Sequence, residues 1–251
     1  PGGYAAAFLA ADLGIGVTLI DQAPNPGGVC LYRGCIPSKA LLHVAKVIDE
    51  AKHAQAWGVR FSDPTLDLSM LRTWKDGVVG RLTGGLGQLS KQRKVTYVQG
   101  RAAIADPHTL VVSGADGEQT IRFDHAILAT GSRPSTPGPL ALDSDRVMDS
   151  TRALELADVP ARLLVVGGGY IGLELGTAYA ALGSRVTVVE MTDRLLPGAD
   201  RDLVIPVAKR MAALAEAVWL ETTVARMEIA GEGVAVTLEG KEAEHSGQVF
   251  D

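Results

Sequence analysis

The stretch ARLLVVGGGYIGLELGTAYAALGSRVTVVE, residues 161–190, decides the fold. It opens with a short apolar run, residues 163–166, that predicts a β-strand. A Gly167-x-Gly169-x-x-Gly172 pattern follows, and after it come an alanine-rich helical stretch, a second strand and a terminal acid. Strand, glycine turn, helix, strand and acid in this order predict a βαβ unit that binds a dinucleotide.

The spacing of these glycines and of the acid has a physical reason. The first glycine allows the tight turn, the second lets a pyrophosphate approach the backbone, and the third lets helix and strand pack closely. The helix N-terminus then presents free N–H groups and the positive end of its dipole to the pyrophosphate. Glu190 stands where a carboxylate would accept hydrogen bonds from the ribose hydroxyls. Because a carboxylate repels a 2′-phosphate, the sequence favours NAD over NADP.

The same unit occurs a second time at the start of the chain. When Gly3 is aligned with Gly172, LGIGVTLID, which ends at Asp21, falls on LGSRVTVVE, which ends at Glu190. The glycine and the acid are 18 residues apart in both copies. The strand and the first two glycines of the first copy would precede the first residue, so we expect the chain to begin inside this motif. Two units predict two dinucleotides, a nicotinamide and a flavin.

The predicted fold is therefore α/β, with two Rossmann-like, three-layer dinucleotide-binding domains in an incomplete chain. We expect an FAD-binding domain over residues 1–148 and an NAD-binding domain over residues 149–251. Residues 95–128 alternate like the strands of a small antiparallel sheet, and residues 219–240 predict paired strands. Ser150 is the predicted N-cap of a short helix that leads into the NAD-binding domain.

Both cysteines of the chain lie in GGVCLYRGCIPSKALL, residues 27–42. Cys35 precedes a predicted helix, whose first turn accommodates Pro37 and whose dipole stabilises a thiolate. The spacing to Cys30 allows a small disulfide ring, which a neighbouring flavin can reduce. A disulfide in a cytosolic protein is more often catalytic than structural. Two cysteines are too few for a disulfide scaffold or a zinc site, so we predict a redox role and no metal.

Composition excludes several classes of protein. Hydrophobic residues make up 47% of the chain and charged residues 21%, which are globular values that argue against disorder. The formal net charge of −5 gives no reason to expect nucleic acid or an anionic membrane as a partner. The apolar runs are broken well short of a membrane span, so we expect no span and a cytoplasmic protein.

Three motifs in order resemble a known family. GGVCLYRGCIPSKALL, ILATGSRP and GGGYIGLELGTAYAALGSRVTVVEM look like the flavin-dependent pyridine nucleotide–disulfide oxidoreductases, over essentially the whole chain. Within that family, CIPSKALL and Glu190 are most similar to the dihydrolipoamide dehydrogenases. The resemblance implies that a Cys–Cys disulfide and FAD carry electrons from the dihydrolipoyl domain of a 2-oxo acid dehydrogenase complex to NAD+. It also implies a homodimer, whose C-terminal dimerisation domain with a His–Glu base is absent here, so that this chain alone would have little activity.

The resemblance further implies roles for particular residues. Cys35 would be the thiol against the flavin, with a charge-transfer contact when reduced, and Cys30 would exchange with the dithiol substrate. Lys39 would lie near flavin N5 and Glu174 would pair with it. The implied flavin-site residues are Gly2, Gly3, Asp21, Gly27, Gly28, Val29, Cys30, Lys39, Ala102, Thr130, Gly131 and Ser132. The implied NAD-site residues are Gly167, Gly168, Gly169, Tyr170, Ile171, Gly172, Leu173, Glu174 and Glu190, with Tyr170 at a position that gates the nicotinamide pocket in related enzymes.

Alternatives stay open at this point. Tyr32 stands where Asn is more usual in the family, and Val29 stands where Thr is frequent. Without the resemblance, Lys39 and Glu174 would be ordinary helix charges and Tyr170 a cap on the core. Another FAD-dependent disulfide or metal reductase, for glutathione-like or mercuric substrates, would use NADPH, which the acid at the second ribose position disfavours. A non-catalytic dinucleotide-fold module would lose FAD on purification.

Overall fold

The computed structural model describes residues 1–251, which form two compact units. The first unit consists of Pro1–Pro37 and Asp76–Arg133, and the second of Ser38–Lys75 and Pro134–Asp251. In chain order the helices are α1 (Gly2–Asp12), α2 (Gly28–Arg33), α3 (Cys35–His53), α4 (Leu68–Gln92), α5 (Ser150–Glu155), α6 (Tyr170–Leu182) and α7 (Arg201–Leu214). The strands are β1 (Thr18–Asp21), β2 (Thr96–Gln99), β3 (Arg101–Asp106), β4 (Thr109–Gly114), β5 (Gly117–Arg122), β6 (Arg162–Val166), β7 (Arg185–Val189), β8 (Ala217–Trp219), β9 (Thr222–Ala230), β10 (Gly233–Gly240) and β11 (Val249–Phe250).

The first unit contains one parallel and one antiparallel sheet. β1 pairs in parallel with β2, from Thr18 opposite Thr96 to Asp21 opposite Gln99. β3, β4 and β5 form an antiparallel meander in that order, which confirms the predicted antiparallel sheet over residues 101–122. The prediction was wrong at both ends of the segment, because β2 pairs in parallel with β1 and residues 123–128 form no strand. The parallel pair therefore carries the first acid, Asp21, at the carboxyl end of β1, where ligands bind in open α/β sheets.

The second unit contains the complete βαβ arrangement. β6, β7 and β8 form a parallel sheet in that order, and α6 connects β6 to β7. Four of the five residues of the central strand β7 are buried, as expected for a parallel strand. Tyr179 of α6 packs with Val186 and Val188 of β7 in the main core cluster. β9, β10 and β11 form a separate antiparallel sheet, which confirms the paired strands predicted for residues 219–240.

The border between the compact units differs from the predicted domain border after residue 148. Residues 38–75 and 134–148 group with the second unit. The physical reason is the apolar face of α3, on which Leu41 and Ile48 belong to the same buried cluster as Leu173 and Tyr179 of α6. An amphipathic helix joins whichever core covers its apolar face, and sequence order does not set that choice. The assignment of FAD and NAD to the two parts of the chain stays a prediction.

Two local features complete the fold. The N-cap of α5 is Asp149, whose Oδ1 accepts a hydrogen bond from the Arg152 N–H at 2.9 Å, so the predicted cap at Ser150 is wrong by one residue. Both residue types cap helices well, and the residue in extended backbone conformation takes the role. None of the helices combines the length and the hydropathy that a membrane span needs.

Candidate dinucleotide and dithiol sites

The glycine turn of the second unit is tightly packed against the protein at Gly172 and open at Gly169. Gly167 has a φ of +111°, a left-handed backbone conformation that favours glycine. A Cβ at Gly172 would lie 2.3 Å from the Gly167 carbonyl oxygen and 2.9 Å from Val165 Cγ1, so helix and strand pack too closely for a side chain. A Cβ at Gly169, the N-cap of α6, would meet nothing within 4 Å. The turn is therefore tight on the protein side and approachable at Gly169, which fits a dinucleotide.

Glu190 closes this turn from the end of β7. Its side chain is buried, and Oε2 accepts a hydrogen bond from the Gly168 N–H at 2.7 Å. Oε1 accepts hydrogen bonds from both the N–H and the hydroxyl of Thr192, each at 2.8 Å. Burial alone would raise the pKa of Glu190, but the hydrogen bonds from Thr192 and Gly168 outweigh it and hold the pKa below its usual value. The carboxylate is thus kept ionised and in one orientation by the protein's own donors.

Lys39 and Glu174, predicted as a pair, are brought together in the second unit. Lys39 Nζ lies 2.5 Å from Glu174 Oε1. The other oxygen, Oε2, accepts a hydrogen bond from the Ser38 hydroxyl at 2.5 Å. Sequence reasoning missed Ser38, although it stands directly beside Lys39 in the CIPSK motif. The same reasoning missed Thr192, which follows the acid by two residues, a spacing at which Ser and Thr commonly bond back to a nearby group.

The two thiols lie at the junction of two helices. Cys30 is in α2 and is half-buried, whereas Cys35 is the first residue of α3 and is exposed. Both are free thiols in this structure. A Cβ at Gly34, between the helices, would lie 3.1 Å from the Val29 carbonyl oxygen and 3.3 Å from Cys30 Cα, so this reversal of the chain favours glycine. Burial raises the pKa of the Cys30 thiol above its usual value, and a hydrogen bond with Cys35 raises it further.

The predicted flavin-site glycines gather within the first unit. Gly2 and Gly3 are the first residues of α1, and a Cβ at Gly3 would lie 3.4 Å from Ala129 Cβ. A Cβ at Gly131, which has a φ of +75°, would lie 3.9 Å from Val29 Cγ2. The starts of α1 and α2 and the segment 129–131 therefore approach one another. Small residues line this approach, and such a cradle fits the close passage of a dinucleotide.

Three hydrogen bonds that involve side chains hold the segment between Asp21 and the first thiol. Asp21 Oδ1 accepts a hydrogen bond from the Ala23 N–H at 3.0 Å. The Tyr97 hydroxyl donates to the Ala23 carbonyl oxygen at 2.8 Å, and the Tyr32 hydroxyl donates to that of Asn25 at 2.9 Å. Burial is the main cause that raises the pKa of Tyr97, so this hydroxyl keeps its proton as a donor. Tyr32, which departs from the family pattern, thus fastens the loop that carries the thiol helix.

The remaining predicted residues differ in their exposure. Ala102 lies in β3 opposite Val112, and every residue of this strand is exposed. Thr130 and Ser132 are exposed in a segment without regular secondary structure. Gly27 is the buried N-cap of α2, and Gly28 follows with a φ of +65°. In the second unit Tyr170, the first residue of α6, is 69% exposed and Ile171 is 46% exposed, whereas Leu173 is buried.

Curated relatives share about half of the residues of this chain. It is 50% identical over 242 residues to a dihydrolipoyl dehydrogenase of Haemophilus influenzae, an alignment that covers 96% of this chain and 50% of the relative. It is 46% identical over 251 residues to a dihydrolipoyl dehydrogenase of Vibrio cholerae, covering 100% of this chain and 53% of the relative. The chain therefore spans about half the length of the curated relatives it matches.

Solved structures and a family description agree with these relatives. LpdA from Mycobacterium tuberculosis superposes with a TM-score of 0.86 at 26% identity, covering 96% of this chain and 54% of LpdA. The HOCl-induced flavoprotein disulfide reductase RclA from Escherichia coli, in its Cu(II) complex, superposes with a TM-score of 0.78 at 28% identity, covering 99% of this chain and 52% of RclA. Residues 1–250 match the family described as pyridine nucleotide-disulphide oxidoreductase. The chain therefore belongs to this pyridine nucleotide-disulphide oxidoreductase family.

Proposed function

We propose that the whole protein is a dihydrolipoyl dehydrogenase, which oxidises protein-bound dihydrolipoyl groups through Cys30, Cys35 and FAD and reduces NAD+. The observation that carries this proposal is the thiol pair at the junction of α2 and α3, with Cys30 half-buried and Cys35 exposed. The relatives named dihydrolipoyl dehydrogenase, at 46–50% identity, support the same substrate.

The proposed reaction at this junction is a thiol–disulfide exchange between the substrate dithiol and the Cys30–Cys35 disulfide. A thiolate of the dihydrolipoyl substrate would attack Cys30 Sγ of the oxidised pair, which breaks the Cys30–Cys35 bond and releases Cys35 as a thiolate. The second substrate thiolate would then attack the mixed disulfide, so that the lipoyl disulfide forms and Cys30 leaves. Because the pKa of Cys30 is raised, the departing Cys30 takes up a proton and remains a thiol. The protein thereby gains two electrons, and the substrate loses them.

Each cofactor has residues of this chain that would hold it. FAD, when bound, would supply the two-electron link between the reduced thiols and NAD+. Gly2, Gly3 and Asp21 would bind its adenosine diphosphate part, with the segment 129–131 beside them. The turn from Gly167 and the acid Glu190 would bind NAD+. The Lys39 ammonium, fixed by Glu174, would supply a positive charge for the flavin ring.

The same proposal includes the partners and the cellular compartment of the whole protein. The substrate would be the dihydrolipoyl domain of a 2-oxo acid dehydrogenase complex, and the whole protein would be a homodimer. A thiol pair that must cycle between two states suits a reducing compartment, and we therefore place the protein in the cytoplasm. The FAD-binding part would include the first parallel pair β1–β2, and the NAD-binding part the sheet of β6, β7 and β8.

An anaerobic visible spectrum of the full-length protein, titrated with dihydrolipoamide and separately with NADH, tests this function. We expect a flavin spectrum that is reduced by either compound, with a long-wavelength charge-transfer band that disappears in Cys35→Ser. Cys30→Ser is the matched control, because it should keep the thiolate at Cys35 and therefore the band while losing turnover.

Three outcomes would contradict the proposal in different ways. Reduction by NADPH and glutathione disulfide activity, without a response to dihydrolipoamide, would indicate another disulfide reductase. Mercuric ion reduction would indicate a metal reductase. A purified protein without a flavin band would leave only a dinucleotide-fold binding module.

A further inference from the structure

The carboxylate of Glu174 is shared between two consecutive residues of α3. The Ser38 hydroxyl donates to Oε2 at 2.5 Å, and Lys39 Nζ donates to Oε1 at 2.5 Å. Each oxygen thus has a donor of its own, and two fixed points determine the plane of the carboxylate. A single donor would leave the carboxylate free to rotate about its terminal bond.

The two donors differ in burial. The side chain of Lys39 is 58% exposed and that of Glu174 is 28% exposed, whereas Ser38 is 7% exposed. An ion pair as exposed as this one contributes little to stability and does not by itself hold two long side chains in one geometry. The buried hydroxyl is therefore the better fixed of the two donors, and the exposed ammonium depends on the carboxylate for its position.

The Ser38 hydroxyl does not donate to a carbonyl oxygen of its own helix. Ser and Thr within helices commonly donate to the carbonyl oxygen four residues earlier. Thr83, Ser90 and Thr177 do so here, with oxygen–oxygen distances of 2.9, 3.0 and 2.7 Å. Ser38 instead donates to a carboxylate on another helix, 136 residues away in sequence.

We propose that Ser38 is a positioning residue, which orients the Glu174 carboxylate and through it fixes the Lys39 ammonium. The link to catalysis rests on the proposed function, in which the Lys39 ammonium lies beside the flavin ring. The positioning itself concerns three residues of this chain and does not depend on the identity of the substrate.

Competitive acylation of lysines in the full-length protein tests the positioning. The protein is treated with a trace of an acetyl succinimidyl ester, and peptide mass spectrometry gives the acylation rate of Lys39 relative to that of Lys46. Lys46 is an internal reference on the same helix, 70% exposed and paired with Glu50 at 3.6 Å. We expect Ser38→Ala to raise this ratio about 3-fold, within the range of about 2- to 10-fold that the loss of one hydrogen bond allows. Ser38→Thr, which keeps the hydroxyl, should restore the ratio, and Glu174→Gln should raise it at least as far as Ser38→Ala.

Ser90→Ala is the matched control, since it removes another buried helix hydroxyl that donates only to its own helix. It should leave the ratio unchanged. A ratio that stays the same in Ser38→Ala, or that rises equally in Ser90→Ala, would overturn the proposal. A protein that lacks dihydrolipoyl activity but shows the expected ratios would overturn the proposed function and leave the positioning role in place.

In the flavin-loaded protein, the midpoint potential of the flavin gives a second measurement. Ser38→Ala should lower it, because it loosens the ammonium without removing any charge, and Ser38→Thr should not shift it. An unchanged potential in Ser38→Ala would contradict the link between Ser38 and Lys39.

Discussion

The N–H of Gly168 donates to Oε2 of Glu190 at 2.7 Å, so the glycine turn after β6 and the acid after β7 form one hydrogen-bonded unit. The acid therefore has a structural task besides the contact with a ribose that the motif predicts. It accepts a hydrogen bond from a backbone donor of the turn. Because Glu190 is buried, loss of this hydrogen bond would leave an unsatisfied polar group, which costs stability. If the predicted contact of Glu190 with a ribose forms, stability and cofactor binding are coupled at this residue.

Replacing Glu190 by Gln should lower the free energy of unfolding by about 1–3 kcal/mol, because the new amide group places a donor against the N–H of Gly168 or of Thr192. Urea unfolding of the full-length protein at pH 7 measures the loss. Glu239→Gln, at an exposed position, is the control and should change stability by less than about 0.5 kcal/mol. Equal stabilities of the two variants would contradict the role of the buried carboxylate.

The same carboxylate should make stability depend on pH. The folded pKa of Glu190 lies below its ordinary value of 4.5, so its contribution is fully present above that pH and is lost as the pH falls through the folded pKa. Unfolding free energies measured between pH 6 and the acid limit should therefore decline less steeply in Glu190→Gln than in the unchanged protein. Parallel pH profiles would show that other carboxylates account for the acid sensitivity.

Gly172→Ala and Gly169→Ala separate packing from binding in the glycine turn. Within a helix, Ala normally stabilises by about 0.5–1 kcal/mol relative to Gly. At Gly172 the new Cβ would meet the Gly167 carbonyl oxygen at 2.3 Å, and backbone cannot rotate away, so overpacking of about 1–3 kcal/mol should dominate. At Gly169 the Cβ would meet nothing within 4 Å, so stability should change by less than about 1 kcal/mol while NADH affinity falls. Thermal unfolding and NADH titration of both variants give the two quantities, and equal stability losses would show that the third glycine has no special packing role.

The glycine turn also shows how much of the fold the sequence predicts. The predicted strand over residues 163–166 is β6, Arg162–Val166, and the predicted helix that follows is α6. Glycines at fixed spacing restrict the backbone to one turn, and the apolar periods on either side assign strand and helix, so local sequence is sufficient here. The sequence around Thr130 and Ser132 predicts less about the structure. These residues lie in an exposed loop, and a loop without apolar periodicity does not restrict the backbone to one conformation.

Contacts between distant residues could not be predicted in the same way. The donor to Glu174 was predicted to be Lys39 alone, and Ser38 was missed, because the partner of a hydroxyl is set by tertiary packing rather than by its own neighbours. The compact units likewise divide the chain inside α3, after Pro37, although no break in the sequence marks that point. What covers the apolar face of a helix is decided by the fold as a whole.

The thiol of Cys30 should titrate above its ordinary pKa of 9.0. Burial, a hydrogen bond with Cys35 and the charge of Cys35 all raise it, so less than about 1% of Cys30 should be thiolate at pH 7. The rate of iodoacetamide alkylation of Cys30 in the reduced protein, followed by peptide mass spectrometry from pH 7 to 11, should have its midpoint above pH 9. In Cys35→Ala the midpoint should fall but remain elevated, because burial persists. A midpoint below 9 in the unchanged protein would contradict the assignment.

Tyr32→Phe tests the loop that leads to the thiols. The substitution keeps the ring but removes the hydroxyl that donates to the Asn25 carbonyl oxygen, so unfolding free energy should fall by about 0.5–1.5 kcal/mol. Because this hydrogen bond fastens the segment before α2, Cys30 should also become more accessible and react faster with iodoacetamide at constant pH. Tyr170→Phe, at a highly exposed position of the second unit, should change neither quantity. If Tyr32→Phe lowers stability without accelerating alkylation, the hydroxyl contributes to folding but not to the placement of the thiol.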